Sequence, residues 1–252
     1  MHKIRIIARL DIKNEYVIKG IHLEGLRKIG NPNLLAKKYY DEGIDEIIFM
    51  DAVASLYGRN NLFHIIERAC QEIFIPITIG GGIRSVQDIE LALKSGADKI
   101  TLNTQAIKNP SIIREASRIY GSQCIVGSIE AKRKGNSWEA YIDNGREQTG
   151  IDAIEWAMKL EDLGIGELFV TSIDKEGTKK GFDIELINAV CNKVNVPVIA
   201  SGGAYNSKDI VELCKQNIHV NAVAVASMLH YNIESLKDAR QNLLQHHIVS
   251  RN

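Results

Sequence analysis

The chain of 252 residues predicts an α/β fold, a (β/α)8 TIM barrel with a twofold half-barrel repeat, in which residues 1–252 form one domain. Three observations carry this. The stretch Ile75 to Thr104, IPITIGGGIRSVQDIELALKSGADKITLNT, reads as a complete strand, loop, helix and next strand. The pattern then recurs: Pro76 and Pro197, Gly81 and Gly202, Gly82 and Gly203, and Asp88 and Asp209 are each 121 positions apart, as are EIIFMD from Glu46 and ELFVTS from Glu167. A third pair, LDIK with Asp11 and IEAK with Glu130, lies 119 apart. Self-similarity over this span makes two related halves, each of about four βα units, and a length of about 250 residues suits eight such units in one barrel.

Taken in order, strand 1 runs from Ile4 to Lys13. Its alternate residues Ile4, Ile6, Ala8, Leu10 and Ile12 are apolar and must meet the surrounding helices, so Arg5, Ile7, Arg9 and Asp11 point into the barrel. A buried charge costs several kcal/mol unless it is paired or functional, which marks Asp11, at the C-terminal end of its strand, as a site residue. Strand 2, Glu46 to Asp51, and strand 6, Glu167 to Ser172, are its apolar neighbours in the pattern. Strand 3, Ile75 to Ile79, stops at Gly80-Gly81-Gly82, where the backbone can take positive φ and approach a phosphate. Ser85 caps the next helix with Asp88 three residues on, and Gly96 closes it. Strand 4, Lys99 to Leu102, ends in Asn103-Thr104. Glu130 ends strand 5 as Asp11 ends strand 1, so two carboxylates face each other across the barrel mouth, the arrangement for a general acid and a general base. Lys132 to Ser137 reads as a hairpin or loop. Val196 to Gly203 repeats the strand and glycine turn, and His246-His247 reads as a solvated helix end. Glu46, Lys99 and Glu167 begin their strands beside Arg5 at the N-terminal end, where four charges of alternating sign read as a ring that stabilises that face.

Lys+Arg and Asp+Glu balance at 31 each, so no overall field recruits nucleic acid or a membrane. Cys70, Cys124, Cys191 and Cys214 lack CxxC spacing and read as buried thiols, and no histidine pair suggests a metal. No signal-peptide core or membrane span is visible, which predicts a cytoplasmic protein with neither metal nor cofactor.

LDIK, VIKG, IPITIGGGIRS, GADKITLNT, YGSQC, AKR followed by WE, VTSIDKEGTKKGFD and PVIASGGA resemble, in order and along nearly the whole chain, the cyclase (HisF) family of imidazole glycerol phosphate synthase subunits. The resemblance implies a barrel that takes ammonia from a glutaminase (HisH-like) partner bound at its N-terminal face. It implies conversion of a bis-phosphorylated aminoimidazole substrate, PRFAR, to imidazole glycerol phosphate and AICAR. By motif, Asp11 is then the principal acid/base and Glu130 its partner. Gly82, Asn103 and Thr104 form one phosphate cradle, and Gly177, Gly203, Ala226 and Ser227 the other. Lys19, Thr171 and Ser201 match positions around the site, Asp51 lies near them, and Asp98 matches the partner interface. Arg5, Glu46, Lys99 and Glu167 match a charged ring through which ammonia enters, a reading that displaces the purely stabilising one.

The chain departs from the family pattern at the mouth: Arg9 stands where a cysteine is usual, Glu130 and Glu176 where aspartates are usual, and HLEGLRKIGNP replaces FxNLRDxGDP. These departures resemble a second-copy branch that supplies ammonia to a sugar amidotransferase of surface-polysaccharide synthesis. A regulatory phosphate-ligand barrel is the non-enzymatic alternative, disfavoured by carboxylates on opposed strands. Arg9 needs an anion, and it is expected to pair with Glu130 or with Asp11, Asp51 or substrate, favouring the ionised carboxylate.

Overall fold

The computed structural model describes residues 2–54, 62–216 and 219–250. Its strands, in chain order, are β1 (His2–Lys13), β2 (Tyr16–Ile21), β3 (Glu24–Gly30), β4 (Glu46–Asp51), β5 (Ile77–Gly80), β6 (Lys99–Leu102), β7 (Ile125–Lys134), β8 (Ser137–Ile142), β9 (Glu147–Asp152), β10 (Glu167–Ser172), β11 (Val198–Ser201), β12 (Val220–Val225) and β13 (Ile248–Ser250). Eight of them, β1, β4, β5, β6, β7, β10, β11 and β12, pair in parallel in that order, and β12 returns to β1 with Arg5 opposite Ala222. Closure leaves no free edge on this sheet. The chain is thus the (β/α)8 barrel that the repeat predicts. Among the described residues no helix is long and apolar enough to cross a membrane.

Strand periodicity sorts the side chains into two cores. Ile4, Ile6, Ala8, Leu10 and Ile12 join the shell between sheet and helices. Ile7, Ile48, Val126, Phe169, Ile199, Ala222 and Ala224 form a separate cluster inside the barrel, midway between its ends. The strand expected from Ile75, β5, starts at Ile77, two residues later than the apolar run suggests, because Pro76 has no N–H to give a ladder. Its carbonyl is still used: Ile47 N donates to Pro76 O at 3.1 Å, and in the second half Leu168 N donates to Pro197 O at 2.9 Å. The Ser85 capping box is formed, with Ser95 as the C-cap and Gly96 just beyond it at φ +104°. His246 caps the exposed end of the helix Leu236–Gln245.

Two antiparallel ribbons rise from the mouth. β1 continues into β2 and β3, with Asp11 opposite Ile18, and β7 continues into β8 and β9, with Glu130 opposite Tyr141. The hairpin near residues 132–137 is therefore real, and its ribbon extends further than the sequence shows. Both carboxylate-bearing strands carry such a ribbon. The cysteines depart from the expectation: Cys191 and Cys214 are buried but Cys70 and Cys124 are only partly so. Cys70 sits at a helix end, where its thiol donates to Gly96 O at 3.3 Å rather than packing in the core.

Candidate active site

Asp11 and Glu130 occupy the C-terminal ends of β1 and β7, on opposite sides of the barrel, and both are buried. Their surroundings differ. Asp11 Oδ1 accepts from Arg9 Nε at 2.9 Å. Glu130 Oε2 accepts from Asn103 Nδ2 at 3.0 Å and from Gly145 N at 2.8 Å. Burial pushes the Glu130 carboxyl up to about 7, against the Arg9 charge and the Gly145 amide, which both favour ionisation. A carboxyl poised there can deliver a proton at neutral pH. Of the anions expected for Arg9, the one it meets is Asp11 and not Glu130. Positions 9 and 11 share one face of one strand, so the guanidinium meets Asp11 first, and its Nη1 donates to Thr171 Oγ1 at 2.9 Å and Ser201 Oγ at 3.3 Å. It lies 5.4 Å from the centre of the Phe169 ring, on top of the inner cluster. Asp51 is turned away to accept from Val53 N at 3.0 Å and Ala54 N at 2.8 Å.

Between the two carboxylates the glycine turns repeat. Gly81 and Gly82 have φ +88° and +72°, and Gly202 and Gly203 have φ +99° and +97°. A Cβ on Gly81 would collide with the carbonyl of Asp51, and one on Gly203 with the carbonyl of Gly181, so both turns need glycine for space as well as for conformation. The first turn opens on a cavity of ≈ 110 Å³ lined by Gly82, Asn103, Thr104 and Glu130, with Arg84 and Lys108 at its rim. The Asn103 amide N–H groups go to Glu130 and to Tyr141 O at 3.1 Å, which fixes this side chain at the wall of the cavity. Asn103 Oδ1 is buried and has no partner among the described residues. The second turn closes on ≈ 10 Å³, lined by Gly177, Gly203, Ala226 and Ser227 together with Arg9, Lys19 and Ser201. There Lys19 Nζ donates to Glu176 Oε1, and His22 N donates to Glu176 O at 2.8 Å, clasping the β2–β3 ribbon to the loop after β10. Burial lowers the Lys19 ammonium to about 8, which leaves it mostly charged at neutral pH.

At the other end of the barrel the four charges close a ring. Arg5 Nη1 donates to Glu46 Oε1 at 2.6 Å and Nη2 to Glu167 Oε1, while Lys99 Nζ donates to Glu46 Oε2 at 3.0 Å and Glu167 Oε2 at 2.9 Å. Below it lies a depression of ≈ 740 Å³ lined by Arg5, Lys99, Gln123, Glu167, Pro197 and Asn221. Asp98 is exposed on this face and accepts from Ile77 N at 2.8 Å. Above the ring, Thr78, Thr101 and Ser128 bury hydroxyls on β5, β6 and β7, and Thr101 Oγ1 has no partner among the described residues. Sequence reasoning did not single out these three, although Thr101 is two positions from Lys99 and Ser128 two from Glu130 on inward faces. Period 2 alone locates them.

A closed parallel barrel with two glycine turns and two opposed carboxylates at its mouth defines the chain as a (β/α)8 protein with its candidate site at the C-terminal ends of the strands. A model of the family described as "Histidine biosynthesis protein" matches residues 5–234. The chain is similar to proteins named imidazole glycerol phosphate synthase subunit HisF. One, from Legionella pneumophila, is 58% identical over 204 residues, 81% of this chain and 96% of the relative. Those from Lactococcus lactis subsp. cremoris (strain SK11) and Pyrococcus furiosus are 47% and 45% identical, each over 98% of this chain and over 96% and 98% of the relative. The chain belongs to the HisF family of histidine biosynthesis proteins.

Proposed function

We propose that this protein is the cyclase subunit of an imidazole glycerol phosphate synthase, an enzyme that uses ammonia from a HisH-like glutaminase to convert PRFAR to imidazole glycerol phosphate and AICAR in the cytoplasm. The observation that carries this reading is the Asp11 and Glu130 pair set between two equivalent glycine turns. A substrate with a phosphate at each end would anchor at Gly82, Asn103 and Thr104 and at Gly177, Gly203, Ala226 and Ser227, which line the two cavities. Its reacting centre then falls between the carboxylates. Glu130, poised near neutrality, acts as the acid, and Asp11, held by Arg9, acts as its opposed base. Lys19, Thr171 and Ser201 position the ligand around them, while Asp51 buttresses the mouth.

The glutaminase docks on the N-terminal face over the ≈ 740 Å³ depression, with Asp98 at its edge. Ammonia passes the ring of Arg5, Glu46, Lys99 and Glu167 and follows the buried hydroxyls on the β5 to β7 side, because Arg9 fills the opposite side above Phe169. Purified protein incubated with PRFAR and an ammonium salt should release AICAR. No AICAR, from protein that unfolds cooperatively and binds phosphate, would overturn the reading.

A further inference from the structure

The half-barrel repeat makes the two turns alike in main chain but unlike in buried charge. Around Gly81 and Gly82 the buried ionisable groups are carboxyls, Asp51 and Glu130, and the cations Arg84 and Lys108 are exposed at the rim. Around Gly202 and Gly203 the buried groups include two cations, Arg9 and Lys19, with Glu176 bound to Lys19. Arg9 is 2% exposed and is fixed by three hydrogen bonds, to Asp11, Thr171 and Ser201. Those bonds use Nε and Nη1, and Nη2 takes part in none of the three. A planar fork held rigid at the floor of an anion cradle, with donors to spare, has the chemistry that reads a phosphate.

We infer that Arg9 is the anion-recognition residue of the second cradle and that it makes the two cradles unequal, so that a doubly phosphorylated ligand binds in one orientation and a single phosphate enters at Gly202 and Gly203 first. This rests on the two-anion reading above and adds to it which end binds more tightly and why. The small free space there supports an exchange rather than a simple filling. At ≈ 10 Å³ it holds about one water, and a neutral group that entered would strand Lys19 or Glu176. An oxyanion that takes the place of the Glu176 carboxylate keeps Lys19 paired, and Glu176, released from it, takes up a proton or turns out to solvent.

The test is a titration of the full chain with inorganic phosphate, followed by calorimetry and by crystals soaked at graded concentrations, for the wild type, Arg9→Met and Arg9→Lys. Density should fill at Gly202 and Gly203 before Gly81 and Gly82. Arg9→Met should weaken the tighter site at least tenfold and leave the weaker one unchanged. Arg9→Lys, which keeps the charge and the partner for Asp11, should retain the order with reduced affinity, and it serves if the methionine variant does not fold. Filling of the first turn first, or equal filling of both turns with unchanged affinity in the variants, would overturn the role of Arg9 while leaving the two-anion reading intact. Phosphate at neither turn would remove both.

Discussion

Glu130 illustrates what one residue decides. Its carboxyl is raised from an ordinary 4.5 to about 7 by burial, so the fold favours the protonated form. The stability this contributes is present below pH 4.5 and is lost as pH rises through about 7. Glu130→Gln keeps an acceptor for Asn103 and Gly145 but cannot ionise. Thermal unfolding at pH 5 and pH 8 should therefore show the wild type losing up to about 3 kcal/mol relative to this variant, and a difference independent of pH would show that Glu130 stays charged throughout. Asp11→Asn should keep the fold, because the amide oxygen still accepts from the Arg9 guanidinium, and lower AICAR release by about 10² to 10⁴. Equal turnover of variant and wild type would remove Asp11 from the chemistry. Both carboxylates were legible in the sequence from strand periodicity and the repeat. The partner of Arg9 was not, since Asp11 and Glu130 both satisfy a guanidinium on paper and only the barrel diameter separates them.

The ribbons are the elements the sequence hid. β3 is exposed on both faces, so EGLRKIG shows no alternation that would mark a strand, and β9 is similar. What holds the β2–β3 ribbon over the mouth is nonlocal: Lys19 on Glu176, His22 on Glu176 and Ile173, and Gly177 against Gly20. None of these pairs is adjacent in the chain. Gly177 has φ +72°, and a Cβ there would collide with the Gly20 carbonyl. Gly177→Ala should loosen the ribbon by at least about 1 kcal/mol, read as faster amide exchange from Tyr16 to Gly30 with the barrel strands still protected. Unchanged exchange in that segment would mean that the clasp lies elsewhere.

At the scale of the molecule, the two ends of the barrel divide the labour. The repeat made the architecture legible before any single element was, because four residue pairs at one offset define halves that only an eightfold closure satisfies. The ring at the N-terminal end holds two acids against two bases with every carboxylate oxygen engaged. Lys99→Ala leaves Glu46 and Glu167 sharing Arg5 alone, which should destabilise the chain by a few kcal/mol. With a glutaminase bound, glutamine hydrolysis should continue while less of its ammonia appears in product, and equal coupling in variant and wild type would exclude the ring as the entry. Closure of the sheet has a further consequence during synthesis. The partners of Arg5 and Ile7 on the closing side are Ala222 and Ala224, more than two hundred residues downstream. At about 5–20 residues per second a ribosome needs on the order of ten seconds or more to deliver them. Throughout that interval the nascent chain presents one edge of β1, apolar on its outer face, with no strand to cover it. This protein, however stable once closed, should depend on a holding chaperone during its own translation.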